Sequence, residues 1–141
     1  TAPHAPFRTP VALRWSDLDA FNHVNNARYL EFLEEARWQF MEDSGLITEF
    51  DGSKLGLAVV NININYRRGA YVNEQLQIHS QFKKIGHRSA VMEQVVRLKD
   101  SDTVVADATI TFVLIDIKTG KALTLDGDVA AALNRLLEPA A

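Results

Sequence analysis

The stretch NNARYLEFLEEARWQFMEDSG, residues 25–45, decides the fold, because its apolar side chains recur with the period of an α-helix. Asn25 or Asn26 is predicted to cap the start, since an Asn side chain can accept a bond from an early amide. Ser44 and Gly45 supply the stop. The predicted helix therefore has about 17 residues and a length of ~25 Å. Its apolar stripe consists of Leu30, Leu33, Ala36, Phe40 and Met41, with Tyr29 and Phe32 beside it, while Arg28, Glu31, Glu34, Glu35, Gln39 and Glu42 lie mainly on other faces.

One predicted strand precedes this helix and four follow it, because β-branched and aromatic residues alternate with polar ones in these segments. The predicted strands cover residues 7–15, 57–67, 74–83, 88–99 and 103–116. Short turn-like breaks separate the last three, so these should form an antiparallel meander. A closing helix is predicted near residues 128–137, with Asp126 or Asp128 as its cap and Val129, Leu133, Leu136 and Leu137 buried. This order lacks β-α-β alternation, so it predicts an α+β fold in which an antiparallel sheet wraps around the long helix.

The composition fits one globular domain that spans residues 1–141, with 47% hydrophobic and 23% charged residues. The formal net charge of -3 disfavours a nucleic acid partner bound through bulk positive charge. No apolar run approaches the ~20 residues that span a bilayer. Residues 1–6 are predicted to be disordered and lack the features of a signal peptide. The absence of cysteine excludes thiolate catalysis and is consistent with a reducing cytoplasm, the predicted location.

The loop before the long helix carries the chemistry. It brings Asp17, Asp19, His23, Asn25 and Asn26 within ten residues, directly before the helix begins. The first amides of a helix point outward without partners, so they can bind an electron-rich oxygen. This arrangement suits acyl chemistry without a metal or a cysteine.

The loop motif D-x-D-x3-H-V-N-N-x2-Y, residues 17–29, runs into LEFLEEAR and resembles that of hot-dog-fold acyl-CoA thioesterases of the 4-hydroxybenzoyl-CoA thioesterase type. Two further stretches, residues 60–68 and 105–116, resemble the bacterial long-chain acyl-CoA thioesterase linked to fatty-acid β-oxidation. Together the three segments extend the resemblance over roughly residues 11–126. The resemblance implies the hot-dog fold, a five-stranded antiparallel sheet wrapped around one long central helix.

The resemblance also implies a function: hydrolysis of long- or medium-chain fatty acyl-CoA to free fatty acid and coenzyme A. It implies a homodimer that pairs sheets edge to edge, or a homotetramer built as a dimer of dimers, with active sites at the subunit interface. No metal and no cofactor are expected, because coenzyme A is part of the substrate. In the family the catalytic carboxylate is the second of the two, which corresponds to Asp19. The backbone amide that polarises the thioester carbonyl corresponds to Asn26.

Several roles in the loop stay open from sequence. Asp19 can attack as a nucleophile or deprotonate a water, and His23 can orient Asp19, contact substrate or serve as a structural hydrogen-bonding group. Asp17 is expected to bond the loop backbone. A minor alternative assigns Asp17, Asp19 and His23 to a divalent iron site, although no distant ligand is recognisable. Another branch of the fold carries its catalytic Glu inside the helix, which keeps Glu34 and Glu35 in view.

Substrate contacts are predicted outside the catalytic group as well. Arg67 and Arg68 suit the phosphates of coenzyme A, although a charged strand end that prevents aggregation explains them equally well. The resemblance also implies that Arg88 and Ser89 lie where this family often contacts the pantetheine arm. The remaining predicted substrate-binding residues are Asn25 and Tyr29.

Two other functions remain as alternatives: a hot-dog hydratase or dehydratase acting on acyl chains, and a non-catalytic acyl-CoA binder. The sequence leaves open the acyl chain length, the choice between coenzyme A and acyl carrier protein, and the geometry of a tetramer.

Overall fold

The fold is described by a computed structural model for residues 7–11, 13–14, 17–20, 23–46, 50, 54–71 and 73–137. Its elements are, in chain order, β1 (Phe7–Val11), α1 (Asn26–Asp43), β2 (Leu55–Tyr66), β3 (Leu76–Ile85), β4 (Ser89–Leu98), β5 (Val104–Asp116), β6 (Ala122–Leu123) and α2 (Gly127–Arg135). The predicted order of strand, long helix, four strands and short helix is confirmed, with β6 added before α2.

The strands form a single antiparallel sheet in the order β1-β3-β4-β5-β2, and β6 pairs with the end of β5. β2 lies at one edge and pairs only with β5 in this order, from Leu55 opposite Asp116 to Tyr66 opposite Ala106. A bulge between Val59 and Asn61 interrupts this ladder. The opposite edge is β1, which pairs with β3.

The core lies between α1 and one face of the sheet. Alternate residues of β3, β4 and β5 are buried, as expected for strands with one covered face. The aromatic rings of Phe40 on α1 and Phe82 on β3 meet edge to face, with their centroids 5.4 Å apart. Burying a side chain such as Leu33 completely stabilises the fold by about 1.5–3 kcal/mol. The long helix is therefore held in place chiefly by its apolar face.

The buried face of α1 differs from the predicted stripe at three positions. Leu30 is 40% exposed and Met41 is only half-buried, whereas Arg37 is buried and 8% exposed. Arg37 is tolerated there because its guanidinium donates to the Oε1 of Gln94 on β4 over 3.1 Å. The Gln94 amide in turn donates to the carbonyl of Leu33 and to the Ser80 hydroxyl. A polar network thus ties the helix to two strands inside the core.

The element boundaries need several smaller corrections. The first strand ends at Val11, and the described residues 13–14 that follow it are not strand. The second helix begins at Gly127, with Asp126 at the N-cap position but without a side-chain capping bond. Leu136 and Leu137, predicted to be buried, are half-buried. The predicted disorder of residues 1–6 lies outside the described residues. Within the described ranges, no helix combines the length and hydropathy that a membrane span requires.

Candidate active site

The loop before α1 is closed by Asp17, whose side chain is fully buried. Its carboxylate accepts a bond from the backbone amide of Arg14 over 2.9 Å and a second from the Arg14 guanidinium over 3.3 Å. Its own carbonyl accepts from the amide of Asn25 over 2.7 Å. Asp17 therefore joins the two ends of the loop, which confirms the expectation that it bonds the loop backbone.

Asp19 and His23 lie opposite each other across the turn of this loop. The Asp19 amide donates to the His23 carbonyl over 2.7 Å, and the Asp19 carboxylate accepts from the His23 amide over 3.2 Å. The Asp19 side chain is exposed, so it can reach a bound substrate. His23 is half-buried, and its imidazole packs against the ring of Tyr71 at a centroid distance of 4.7 Å. The contact between Asp19 and His23 thus runs through backbone amides.

The start of α1 presents an amide that has no acceptor in the described part of the chain. Asn25 is the N-cap, as predicted. Its side-chain oxygen accepts from the amide of Ala27 and its carbonyl accepts from the amide of Arg28, over 2.9 Å each. The amide of Asn26 donates no hydrogen bond among the described residues. It therefore stays available at the positive end of the helix dipole.

A second loop, residues 67–74 between β2 and β3, supports the first. The amide of Val24 donates to the carbonyl of Ala70 over 2.8 Å, and His23 forms a bridge with Tyr71. Gly69 lies so close to His23 that an added Cβ would be 2.7 Å from the Cδ2 of the imidazole. Sequence reasoning missed Gly69, Ala70 and Tyr71. The available signal was the glycine directly after Arg68, since a strand end often places glycine where another backbone or side chain approaches closely.

Arg67 and Arg68 directly follow Tyr66, whose hydroxyl reaches the start of α1, and each already has a carboxylate partner. The guanidinium of Arg67 donates to Asp107 over 2.7 Å and 3.3 Å, and this bond lowers the pKa of the Asp107 carboxyl. Arg68 donates to both oxygens of Glu74 over 3.1 Å and 3.0 Å. A phosphate would therefore compete with these carboxylates, and the assignment of the two arginines to coenzyme A stays a prediction.

Tyr29 lies one turn into α1 and is only 2% exposed. Its hydroxyl is buried without a hydrogen-bond partner in the described part of the chain. Burial raises the pKa of Tyr29 to about 12, so the hydroxyl stays protonated and can donate. Its ring contacts that of Tyr66, whose hydroxyl donates to the Asn26 carbonyl over 3.1 Å. The predicted role of Tyr29 in substrate binding is untested.

Arg88 and Ser89 lie at the opposite end of the sheet. Ser89 pairs with Val113 on β5, whereas the helix start lies near Tyr66, which pairs with Ala106. The seven residue steps from Ala106 to Val113 on β5 span about 24 Å at ~3.4 Å per residue. A single chain therefore does not bring Arg88 and Ser89 to Asp19.

Two alternative sites were predicted from the sequence: a catalytic glutamate inside the helix and a metal site in the loop. Glu34 and Glu35 are exposed and lie about 12 Å and more along α1 from Asn26. Within the described part of the chain, no three histidine, aspartate or glutamate side chains gather closely enough to hold a metal ion. That no metal or cofactor takes part stays a prediction.

The family of the chain follows from its similarity to known proteins. Residues 13–133 match the Thioesterase-like superfamily, and this range includes α1 and strands β2 to β6. The chain belongs to the thioesterase-like superfamily. The family resemblance and the hot-dog fold predicted from the sequence are confirmed.

This thioesterase-family chain is similar to curated relatives over nearly their whole length. It is 46% identical over 131 residues to the long-chain acyl-CoA thioesterase FadM of Escherichia coli (strain K12). The matched residues cover 93% of this chain and 99% of that protein. It is 26% identical over 132 residues to the acyl-CoA thioesterase YbgC of Haemophilus influenzae, covering 92% and 96%. The crystal structure of the probable thioesterase YbaW from Escherichia coli superimposes with a TM-score of 0.86 at 46% identity, covering 93% and 98%. The similarity therefore extends well beyond the loop motif.

Proposed function

We propose that the protein hydrolyses acyl-CoA thioesters of long- or medium-chain fatty acids to free fatty acid and coenzyme A. The family and the 46% identity to a protein named as a long-chain acyl-CoA thioesterase support the reaction type and the substrate class. One observation carries the proposal at the level of residues. The Asn26 amide has no acceptor in the described structure and follows by seven positions the exposed carboxylate of Asp19.

In this proposal the start of α1 polarises the thioester. The Asn26 amide donates to the carbonyl oxygen, and the positive end of the helix dipole stabilises the negative charge that develops there. Such a preorganised donor is worth about 10²–10³ in turnover in comparable acyl transfers. Asn25 contributes by holding the next amides, so that the first turn keeps its geometry.

Asp19 supplies the carboxylate chemistry, for which two routes remain. As a general base it takes a proton from water, and the hydroxide attacks the carbonyl carbon. The C–S bond then breaks, and the coenzyme A thiolate leaves and takes up a proton. As a nucleophile Asp19 first displaces the thiolate and forms an acyl anhydride, which water hydrolyses to the carboxylate and the free acid. In either route His23 positions Asp19 through the hydrogen bonds that join the two residues.

We further propose that the working unit contains at least a homodimer. An antiparallel second copy at the β2 edge would bring the partner's Arg88 and Ser89 toward the helix start, from which they are about 24 Å away within one chain. β2 offers an unpaired edge for this in the described sheet. The homotetramer, the cytoplasmic location and the absence of a cofactor remain predictions.

The test replaces Asp19 by Asn and measures thiol release from palmitoyl-CoA. We expect kcat to fall by about 10²–10⁴, the usual contribution of a positioned acid or base, with an unchanged unfolding midpoint. Asp128→Asn, an exposed change of the same kind on α2, should leave turnover unchanged. Turnover near the wild-type value in Asp19→Asn would remove this carboxylate from the reaction. Hydration of an enoyl-CoA without thiol release would favour the hydratase alternative.

A further inference from the structure

Three consecutive residues between β2 and β3 contact the loop before α1. Gly69 lies directly against the imidazole of His23, and the ring of Tyr71 packs on the same imidazole at a centroid distance of 4.7 Å. Between them, the Ala70 carbonyl accepts from the amide of Val24 over 2.8 Å. The position of His23 therefore depends on how this second loop is fixed to the rest of the fold.

A half-buried ion pair fixes the second loop. The guanidinium nitrogen Nη2 of Arg68 donates to both carboxylate oxygens of Glu74, over 3.1 Å and 3.0 Å, and the two side chains are 33% and 21% exposed. Hydrogen bonds between two charged groups are stronger than those between neutral ones. The backbone amide of Arg68 also donates to the Val105 carbonyl on β5 over 3.2 Å. The ion pair therefore ties the loop to the sheet.

Glu74 also closes the turn that presents Tyr71. The Glu74 carboxylate accepts from the Tyr71 amide over 3.0 Å, and the Glu74 amide donates to the Tyr71 carbonyl over 3.0 Å. The Tyr71 ring in turn packs against His23, whose amide donates to the Asp19 carboxylate over 3.2 Å. Contacts therefore run without a gap from the ion pair to the proposed reaction centre.

The charges of the pair also act on α1. Burial is the main reason why the pKa of Tyr29 is raised to about 12, while the charge of Arg68 lowers this pKa and that of Glu74 raises it. The pair therefore lies close to the first turn of α1, whose Asn26 amide is proposed to bind the thioester carbonyl.

The same contacts argue against a phosphate on Arg68. A phosphate would have to displace Glu74, and the freed carboxylate would lose its counter-charge and repel the phosphate beside it. Glu74 cannot turn away to avoid this repulsion without giving up its bond to the Tyr71 amide. A phosphate on Arg68 would thus open the turn that supports His23.

We infer that Arg68 and Glu74 form a positioning pair, which fixes the imidazole of His23 and through this residue the Asp19 carboxylate, and that Arg68 does not contact the phosphates of coenzyme A. This inference deepens the proposed hydrolysis and rests on it. The sequence left Arg68 open between a phosphate contact and a charged strand end, and the bonds to Glu74 give it a third role. Because the pair places reacting groups, its loss lowers kcat rather than the affinity for coenzyme A.

The first test measures Arg68→Met with decanoyl-CoA and with decanoyl-pantetheine, which has the same thioester and no phosphate. We expect kcat to fall by about 10–100-fold with both substrates, as for a misplaced reacting group, and KM to stay within about threefold. A phosphate contact would instead raise KM for decanoyl-CoA by about tenfold or more and leave decanoyl-pantetheine unaffected. A rise in KM confined to decanoyl-CoA would therefore refute the inference. Arg68→Lys keeps the charge without the planar guanidinium and carries the same comparison if Arg68→Met does not fold.

The second test breaks the pair from its other side. Glu74→Gln should lower kcat as Arg68→Met does, whereas a phosphate site on Arg68 would gain affinity for decanoyl-CoA when the competing carboxylate is removed. Combining the two substitutions should cost little more than either alone, because both remove the same interaction. Effects that multiply would contradict the pair. Glu93→Gln is the matched control: Glu93 pairs with Lys83 over 3.5 Å on the strands β4 and β3, and its loss should change kcat by less than about twofold.

Hydrogen exchange of the Val24 amide tests the support without any substrate. Because this amide donates to the Ala70 carbonyl, its exchange should become about tenfold faster or more in Arg68→Met and Glu74→Gln, while amides in the middle of β4 keep their rates. Faster Val24 exchange in a protein whose wild type releases no thiol from acyl-CoA would overturn the hydrolysis but not the support of the loop. Thiol release by the wild type, with unchanged kcat and unchanged Val24 exchange in both variants, would overturn the inference and leave the hydrolysis standing.

Discussion

Replacing Gly69 by alanine should displace the imidazole of His23. The added Cβ would lie 2.7 Å from the Cδ2 of the ring and 3.1 Å from its Cγ and Nε2. Carbon atoms in contact prefer about 3.5–4.0 Å, so the ring must move by about 1 Å. The ring cannot move without disturbing its packing against Tyr71, whose centroid lies 4.7 Å away. The backbone itself accepts alanine, because the described glycines with positive φ are Gly45, Gly120 and Gly127.

Gly69→Ala should lower both the stability of the fold and the turnover. Overpacking of this kind destabilises by about 1–3 kcal/mol, which urea unfolding measures. The His23 amide holds the Asp19 carboxylate, so a shift of about 1 Å that is passed on to this carboxylate can lower the rate up to a hundredfold. We therefore expect kcat/KM for palmitoyl-CoA to fall by roughly 10–100-fold. Gly56→Ala is the matched control, since its Cβ would meet only the exposed side chain of Ile117 at 3.3 Å. It should retain wild-type turnover.

A double-mutant cycle tests whether Gly69→Ala acts through His23. In the His23→Ala background the ring that meets the new Cβ is gone, so Gly69→Ala should have little further effect on kcat/KM. If the two substitutions instead reduce kcat/KM independently, with their effects multiplying, the steric reasoning is wrong. Wild-type turnover in Gly69→Ala alone would show that the position of the imidazole does not matter for the reaction.

Two further predictions concern a buried tyrosine and a half-buried histidine. Tyr29→Phe removes a buried hydroxyl without a described partner and should raise the free energy of unfolding by about 1 kcal/mol; a fall in kcat/KM in the same variant would support its predicted substrate contact. The pKa of His79 lies below its usual value of 6.5, chiefly because of burial and to a lesser extent because of the positive charges of Arg97 and Arg8. His79 therefore takes up a proton more readily in the unfolded chain than in the folded protein. The contribution of neutral His79 to the free energy of unfolding is therefore complete above about pH 6.5. It is lost as the pH falls through the pKa that His79 has in the folded protein. His79→Gln should therefore flatten the decline in unfolding free energy between about pH 7.5 and about pH 5, and the exposed change His87→Gln should not.

The parts of the fold that sequence predicts well depend on local chemistry. The N-cap at Asn25 and the stop after α1 follow from residues within one turn, and the sheet follows from alternation along each strand. The burial of Arg37 could not be read this way. It depends on Gln94, which also holds the Leu33 carbonyl from 61 residues away. A charged residue with good helical spacing is assigned to solvent unless its distant polar partner is known.

In the candidate site, too, the local contacts follow from the sequence and the long-range contacts do not. Asp17, Asp19 and the cap are found in one loop, and their relative placement follows from that loop's hydrogen bonds. The support from the other loop is tertiary, because Ala70 and Tyr71 contact Val24 and His23 only after the chain has passed along the edge strand β2. The sequence therefore indicates which groups gather in the loop, whereas the contacts from the second loop depend on the tertiary fold.

The separation of the predicted substrate-binding residues has a physical reason. Arg67 and Arg68 directly follow β2, whose last residue reaches the helix start. Arg88 and Ser89 lie where β4 begins, at the opposite end of the sheet. No local rearrangement joins two ends of a rigid sheet about 24 Å apart. In the proposed dimer an antiparallel second copy would do so without any rearrangement, since a two-fold axis exchanges the ends. A motif set that looks scattered in one chain can thus form one site in a symmetric dimer.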